Sequence, residues 1–414
     1  MFNKNRITFA AKAGATLVGL CLFASSPLVN AGAREEAKRM FDRIAGVPPT
    51  QAELDTMVAI MDTNADGETD DADAAVSAAA EALNSPSFYN VTLKNMVTPW
   101  TNEAQTVFAD LNDFTATVIG LVRDGEDFRS VLYDDVVYVG TNNSFAPYSV
   151  SDNDHYEDLE ASGENMGDPA VLERRTQSEF GVVDSQGAAG VMTTRAAAKS
   201  FFVAGTNRAM FRFTLMNFLC NDLEQVKDTT RAPHRIRQDV SRSPGGDSRI
   251  FLNSCLGCHA GMDPLAQAFA YYEWTGEEGT EDGQLIYTNG TVQGKHLINA
   301  DTFRYGFVTT DDSWDNFWRE GQNSVLGWDN SISYGVSGCS PGSCRGAKTL
   351  GMELAHSEAF AQCQVKQVFE TVCLHEPTTA ADHTQVSSMV TSFKDSNYNM
   401  QTPFVEAAAY CRGN

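Results

Sequence analysis

The pentapeptide Cys255-Leu256-Gly257-Cys258-His259 has the residue types and the spacing that attach one haem covalently to a polypeptide. Two thiols at this spacing form thioether bonds to the vinyl groups of the porphyrin, and the histidine that follows ligates the iron from its proximal face. A disulfide, a thioredoxin-type redox pair and half of a zinc site are the competing interpretations. No second C-x-x-C supplies zinc ligands, and no βαβ pattern surrounds the motif. The sequence therefore predicts one haem c held by Cys255, Cys258 and His259.

The sixth iron ligand has three candidates downstream of this motif. Met352 and His356 stand four residues apart in KTLGMELAHSEAF, so that a helix presents both side chains on one face. His296 is the third candidate. Methionine ligation raises the reduction potential and suits an electron carrier. We expect Met352 to be the distal ligand, with His356, His296 or an open coordination position as the alternatives.

Arginines crowd into residues 227–250, immediately before the haem motif, in an otherwise acidic chain. Haem carries two propionates, and the planar guanidinium of arginine suits carboxylates. We expect Arg242 and Arg249 to pair with the propionates, the alternative being ion pairs with carboxylates of the protein itself.

The residues after the haem histidine predict a new helix. Asp263 is placed to cap it and Pro264 to occupy its first position. The apolar positions at helical spacing are then expected to pack near the porphyrin; they are Leu265, Ala268, Phe269 and Tyr272.

An acidic segment over residues 62–73 resembles an EF-hand loop of the dockerin variety. Glycine stands at loop position 6 and an alanine-rich helix is predicted to follow. Position 12 is Asp73 rather than glutamate, and position 8 is Thr69 where an apolar residue is usual. The alternative is an acidic, solvated turn between two helices. The expected calcium ligands are Asp62, Asn64, Asp66, Glu68, Asp70 and Asp73.

Residues 255–265, which read CLGCHAGMDPL and precede an aromatic helix, resemble the planctomycete-type cytochrome c family. Its members are secreted proteins in which CxxCH is followed by an Asp-Pro-Leu element, and Ala266 stands here where that family usually has glycine. Residues 43–54, RIAGVPPTQAEL, are similar to the N-terminal helical module often found upstream of such haem domains. The resemblance implies that Cys255 and Cys258 bind haem and that His259 ligates the iron, without implying a particular reaction.

The N-terminus has the pattern of a bacterial signal peptide. Lys4, Arg6 and Lys12 precede an apolar run over residues 13–23, and small residues follow, so that cleavage is expected near Ala31 or Ala33. No other segment approaches the roughly 20 apolar residues that span a bilayer. We expect a periplasmic, secreted or cell-surface protein without a membrane span.

The chain is strongly acidic, with 54 Asp+Glu against 30 Lys+Arg and a formal net charge of −24. Such a surface repels nucleic acid and anionic lipid. The expected partners are an extracytoplasmic redox protein or a small-molecule electron donor or acceptor, and self-association stays open.

The remaining cysteines predict three disulfides, as an even number in an exported protein suggests. Cys339 and Cys344 flank a tight turn and are expected to pair with each other. Cys363 and Cys373 lie in one predicted helix about 15 Å apart, beyond the roughly 7 Å that a disulfide bridges. They should therefore pair with Cys220 and Cys411, in an order that the sequence leaves open.

The pattern of apolar residues predicts a mainly α protein with long loops. We expect a signal peptide over residues 1–33, a helical N-terminal module over 34–184 and a disulfide-stapled, mono-haem c-type cytochrome domain over 185–414. Residues 188–226 should form long buried helix, whereas 84–184 carry no functional motif.

Three classes of function are compatible with this pattern. The first is a one-electron carrier, since one CxxCH binds one haem. The second is a haem enzyme of peroxidase or oxygenase type, which requires an open distal position. The third is a secreted structural or self-associating haem protein. The chain exceeds the roughly 100 residues of a minimal domain, which keeps the last two classes in play behind the carrier.

Overall fold

The computed structural model describes residues 32–63, 72–277, 279–297 and 304–413. These residues are 54% helix and 6% strand, so the predicted mainly α class is confirmed. The helices over these ranges are α1 (Ala33–Ala45), α2 (Gln51–Met61), α3 (Ala72–Glu81), α4 (Lys94–Val97), α5 (Asp113–Arg123), α6 (Asp154–Ser162), α7 (Gln177–Phe180), α8 (Arg195–Phe201), α9 (Arg208–Leu219), α10 (Ser248–Ile250), α11 (Leu256–Ala266), α12 (Gly346–Ala355), α13 (Glu358–Cys373), α14 (Ala380–Asp395) and α15 (Gln401–Tyr410).

The strands of the described residues form three antiparallel pairs. These are β1 (Val137–Gly140) with β2 (Leu172–Arg175), β3 (Tyr272–Trp274) with β4 (Leu285–Tyr287), and β5 (Ser313–Asp315) with β6 (Ser343–Arg345). Each pair is short, so the sheets fix loops around the helices rather than forming a layer.

The first two helices begin and end as their sequences predict. Helix α1 ends at Gly46, which adopts φ 72° and donates its N–H to the carbonyl of Asp42. A capping box starts α2, because the N–H of Thr50 donates to Glu53 Oε2 at 2.7 Å and the N–H of Glu53 donates back to Thr50 Oγ1 at 3.3 Å.

One main hydrophobic core runs from Ala33 to Cys411. Helices α1 and α3 of the predicted N-terminal module pack on α15, and α1 also contacts α13. The boundary predicted at residue 184 stays a prediction, although the core packing crosses it.

All three predicted disulfide relationships are confirmed. Cys339 bonds Cys344, Cys220 bonds Cys363 across 143 residues, and Cys373 bonds Cys411. The last two bonds join α13 to the end of α9 and to the residue after α15. They therefore link α13 to α15 and to α9, and α9 packs on α11.

Residues 188–226 form two helices rather than one long helix. The chain leaves helical geometry between α8 and α9, where Gly205 and Asn207 adopt positive φ of 63° and 60°. The amide of Asn207 donates to the carbonyls of Phe269 at 2.8 Å and Tyr272 at 3.0 Å, which fixes this break against the segment after α11.

Within the described ranges, no helix has the length and apolar composition that crossing a membrane requires. The three disulfides indicate an oxidising, extracytoplasmic environment.

Candidate haem site

The haem motif lies at the start of α11. A single π-helical turn, Phe251–Cys255, leads directly into this helix, so the chain is already helical before Cys255. The prediction that Asp263 caps a new helix starting at Pro264 is therefore wrong, because both residues lie inside α11. Pro264 stands near the end of α11, which passes into a 3₁₀ turn at Gln267. A proline inside a helix lacks the N–H for one i→i−4 hydrogen bond and crowds the carbonyl of residue i−4.

The apolar residues after Pro264 are fully buried in the main core and do not form an exposed face. Leu265, Ala268, Phe269 and Tyr272 are each 0 or 1% exposed. They anchor the end of α11 in the protein, and their packing near the porphyrin stays a prediction.

Helix α11 packs against Trp318 through a glycine. A Cβ at Gly261 would lie 2.0 Å from Trp318 Nε1, so only glycine allows this approach. Trp318 in turn contacts Phe211 of α9, with 5.7 Å between ring centroids. Helix α11, which carries the haem motif, is thereby held against α9, and the Cys220–Cys363 bond joins α9 to α13.

The two thiols of the motif are free, whereas the other six cysteines of the described residues are in disulfides. Both are half-buried. Cys258 lies with Sγ 3.5 Å from the carbonyl oxygen of Leu223. Burial, followed by the carboxylate of Glu224, raises the pKa of the Cys258 thiol.

A zinc site is not supported in the part of the chain that the structure describes. There, no group of three or more His, Cys, Asp or Glu side chains is placed to hold a metal ion. Cys255, Cys258 and His259 thus lack the further protein ligand that a structural zinc ion requires.

His259 is oriented by Asp263, one helical turn further along α11. Its Nδ1 lies 3.0 Å from Asp263 Oδ1, the imidazole is 21% exposed and the carboxylate is completely buried. Because an ionised carboxylate only accepts hydrogen bonds, Nδ1 carries the proton and Nε2 keeps its lone pair. This is the tautomer that ligates iron through Nε2.

Asp263 belongs to a buried ionic network. Arg208 binds both its oxygens, with Nε–Oδ1 at 2.7 Å and Nη2–Oδ2 at 3.0 Å, and also pairs with Asp239. Burial opposes ionisation of Asp263, but Arg208, the hydrogen bond to His259 and Arg237 hold its pKa far below the usual range. The carboxylate behind His259 is therefore a permanent negative charge.

No sequence pattern indicates Arg208 as a partner of Asp263, because it lies 55 residues earlier in the chain. The His259–Asp263 pair could have been found, because i and i+4 side chains meet on any helix that continues through both. Because a helix was predicted to start at Asp263, His259 fell outside that helix and the pair was not predicted.

Apolar side chains lie beside Cys255 and in the turn before it. Cys255 packs against a second, smaller cluster formed by Ile236, Val240, Phe251, Leu256 and Ala260. In the turn before it, Ile250 and Leu252 are 45 and 52% exposed. Exposed apolar surface next to free C-x-x-C thiols and an oriented histidine is what a covalently bound porphyrin requires, so these residues fit a haem.

The two arginines predicted for the propionates, Arg242 and Arg249, differ in their partners and in their exposure. Arg242 donates to the backbone carbonyls of Ile236, Arg237 and Val240, so its guanidinium holds the loop before the motif. Arg249 has an 83% exposed side chain and pairs with Asp247 at 2.7 Å. Only Arg249 has the accessibility that a propionate partner needs, and its role stays a prediction.

Two of the predicted distal ligands, Met352 and His356, lie at the end of α12. Met352 packs against the main core. His356 has its Nδ1 2.8 Å from the carbonyl oxygen of Met352 and stacks on Tyr133 at 6.0 Å between ring centroids. These contacts join them to each other and to Tyr133, not to His259.

His296, the third candidate, lies behind the proximal histidine. Its Nδ1 is 3.0 Å from Arg237 Nη1, and the backbone N–H of Arg237 points to Asp263 at 3.4 Å. A guanidinium only donates, so Nδ1 accepts and the proton of His296 sits on Nε2. Burial, followed by Arg237, lowers the pKa of His296 to about 2. This tautomer leaves no lone pair on Nε2 for iron.

His234 is a further histidine near the motif that no sequence pattern indicated. This exposed residue lies in the turn Pro233–Arg235, which packs on α11, with its ring 5.0 Å from that of Phe317. Its position beside the helix of the motif makes it a further side chain to test.

The predicted calcium loop lies mostly outside the described residues, which include Asp62 and Asp73 but not Asn64, Asp66, Glu68 or Asp70. Its flanks are helical, since α2 ends at Met61 and α3 begins at Ala72, and the two helices pack together. The predicted signal peptide also lies outside them up to residue 31.

A scan against protein-family models found no match to this chain, and searches of curated proteins and of solved structures found no significant match. The resemblance to the planctomycete-type cytochrome c family therefore stays a prediction.

Proposed function

We propose that this protein is an exported mono-haem c-type cytochrome that transfers single electrons outside the cytoplasm. The observation that carries the proposal is the state of the cysteines. Six of those in the described residues are consumed in disulfides, while Cys255 and Cys258 stay free beside a histidine whose Nε2 is kept available. Covalent haem attachment uses this set of groups.

Each residue of the site has a defined part. Cys255 and Cys258 fix the edge of the porphyrin, His259 ligates the iron, and Asp263 holds the imidazole in the required tautomer and orientation. The bound haem supplies the one-electron couple. The acidic chain favours a cationic or neutral redox partner over an anionic one.

One observation favours a haem enzyme as the second candidate. A buried, ionised carboxylate on the proximal histidine raises the basicity of that ligand, and an electron-donating proximal ligand favours O–O bond cleavage. The positive charge of Arg208 on the same carboxylate moderates this effect. Carrier and enzyme differ in whether the distal position is occupied.

Export is part of the proposal. Cleavage after Ala31 would make Gly32, the N-cap of α1, the first residue of the mature chain. Cleavage after Ala33 would instead remove Ala33, a helical residue that is only 1% exposed. We therefore favour the first site. A calcium ion at residues 62–73 would be a structural addition to the haem protein.

The decisive test is expression of the full chain in a bacterial host that matures c-type cytochromes. Thioether bonds survive denaturation whereas iron–ligand bonds do not, so haem should migrate with the polypeptide on a denaturing gel. Cys255→Ala with Cys258→Ala should abolish this, while the matched pair Cys339→Ala with Cys344→Ala should retain it. A colourless wild-type protein from that host would refute the proposal.

Carbon monoxide separates the two candidate functions. A reduced carrier with two protein ligands should bind carbon monoxide slowly or not at all, whereas an enzyme with an open distal position should bind it at once. Rapid binding by the wild-type protein would move the enzyme to first place.

A further inference from the structure

A cavity of about 610 Å³ lies where β4, β5, β6 and the start of α12 meet, and it shares no lining residue with the candidate haem site. This volume is within the range of roughly 300–1,000 Å³ that is typical of small-molecule sites. The proposed haem chemistry makes no use of it.

The floor of the cavity is formed by buried side chains. Tyr271, Asp312 and Tyr334 line it and are 5, 7 and 6% exposed. Tyr287 is half-buried on one wall, and its ring centroid lies 6.4 Å from that of Tyr271, with the planes tilted by 55°. A ligand that entered would therefore meet aromatic faces next to a carboxyl group.

Two glycines leave room for side chains that line the cavity. A Cβ at Gly187 would lie 2.7 Å from Tyr287 Cδ1. A Cβ at Gly346 would lie 3.2 Å from Asp312 Oδ2, and Gly346 also adopts φ 77° while its N–H donates to the carbonyl of Asp312 at 3.1 Å. The absence of a side chain at Gly187 and Gly346 thus allows Tyr287 and Asp312 to occupy these positions.

The rim adds neutral hydrogen-bonding groups of both kinds. Ser185, Gln186 and Asn289 are exposed there, offering hydroxyl and amide donors and acceptors. Burial raises the pKa of Asp312 to about 6, so that carboxyl is ionised for most of the time at neutral pH and accepts hydrogen bonds.

The lining of the cavity carries charges of both signs, so neither an anion nor a cation meets a uniformly attractive surface there. Asp312 in the floor repels an anion. Arg345, whose Nη1 lies 3.8 Å from Asp312 Oδ1, and Lys348 stand beside it and repel a cation. A purely apolar ligand would cover the Asp312 carboxyl without adding to the contacts that Tyr271 and Arg345 make with it, which is unfavourable for a buried carboxylate.

We propose that this cavity binds a neutral carbohydrate. A sugar ring presents C–H groups that pack on tyrosine faces and several hydroxyls that donate to a carboxylate and exchange hydrogen bonds with amides. Asp312 accepts from the hydroxyls and Tyr271 and Tyr287 contact the ring. The site is independent of the haem, so the protein would attach to or sense glycans whether or not its haem transfers electrons.

The test uses the full-length protein and a panel of glucose, galactose, N-acetylglucosamine and their β-linked disaccharides. Saturation-transfer difference NMR identifies a bound sugar, and calorimetry gives its Kd. Saturable binding by the wild-type protein is expected. Asp312→Asn and Tyr287→Leu should each weaken it at least tenfold. Tyr305→Leu, which changes a tyrosine that is 90% exposed outside the cavity, should leave it unchanged.

Circular dichroism shows which variants are folded, and the two cavity variants are independent if one fails to fold. Absence of saturable binding to every sugar of the panel, or equal Kd values for wild-type, Asp312→Asn and Tyr287→Leu proteins, would overturn the proposal. Stronger binding of glucuronate that is lost in Lys348→Gln would overturn it too, because the cavity would then be an anion site.

Discussion

His259 Nδ1 and Asp263 Oδ1 lie 3.0 Å apart on one face of α11, so the proposed iron ligand and the charge that tunes it belong to the same helix. Arg208 reaches this pair from α9. In the proposed haem protein, the basicity of the proximal ligand, and with it the reduction potential, would depend on how fully Arg208 compensates Asp263. His259 and Asp263 are separated by a single helical turn, whereas Arg208 lies on another helix.

Asp263→Asn should raise the reduction potential of the haem. Asparagine keeps a side-chain oxygen that accepts from Nδ1 but removes the negative charge that stabilises the ferric state. We expect an upward shift of about 59 mV, which corresponds to a tenfold change in a one-electron equilibrium. A spectroelectrochemical titration measures it, and haem staining on a denaturing gel confirms that the cofactor is still attached.

Two variants control for damage to the ionic network. Asp239→Asn removes a carboxylate that also binds Arg208 but does not touch His259, so its upward shift should be smaller. Arg208→Gln leaves Asp263 uncompensated and should lower the potential. Equal shifts in Asp263→Asn and Asp239→Asn, or an upward shift in Arg208→Gln, would show that the contact between His259 and Asp263 has no specific effect.

The distal ligand is tested by removing one candidate at a time. Met352→Ala should lower the potential, open the iron to carbon monoxide and remove the weak far-red absorption band of a sulfur–iron bond, provided that Met352 reaches the iron when haem is bound. His296→Ala should leave the spectrum unchanged, because its Nδ1 accepts from Arg237 and its proton occupies Nε2. Visible and near-infrared spectra record both effects.

His356→Ala and His234→Ala complete this set. A spectrum that changes only in His356→Ala or only in His234→Ala would identify bis-histidine ligation and a carrier of lower potential. A spectrum that changes in none of the four variants, together with carbon monoxide binding by the wild-type protein, would contradict Met352 and support the enzyme.

Gly261→Ala should destabilise the protein although alanine is the better helix former. The new Cβ would lie 2.0 Å from Trp318 Nε1, and overpacking of this kind costs about 1–3 kcal/mol. Gly294→Ala is the matched control, since a Cβ there meets nothing within 4 Å. Thermal unfolding followed by circular dichroism measures both. A melting temperature that falls no further in Gly261→Ala than in Gly294→Ala would mean that Trp318 moves away freely.

Local patterns predicted the covalent framework of this fold well. The capping box at Thr50 depends on residues three apart, and helix geometry correctly excluded a bond between Cys363 and Cys373 while leaving open which of Cys220 and Cys411 each one joins. In each case a short-range rule left few arrangements to choose from.

Tertiary contacts explain where such rules failed. Asp263 has the sequence environment of a helix cap, yet Arg208 from another helix binds it inside α11. That partner has no fixed spacing along the chain, so no periodicity could reveal it. Arg242 is different, because its guanidinium binds backbone carbonyls of its own irregular loop, for which the side-chain pattern gives no signal.

Calcium should raise the melting temperature of the protein. The predicted loop joins α2 to α3, which pack together, and Asp73 lies in the first turn of α3. An ion bound by folded protein alone stabilises it by about 2.7 kcal/mol at a hundredfold excess over Kd. Asp62→Asn with Asp66→Asn should remove this response, while Asp395→Asn, an exposed acid on α14, should retain it. If a chelator leaves the melting curve of protein shown to contain calcium unchanged, the ion has no structural role and the segment is a solvated acidic turn.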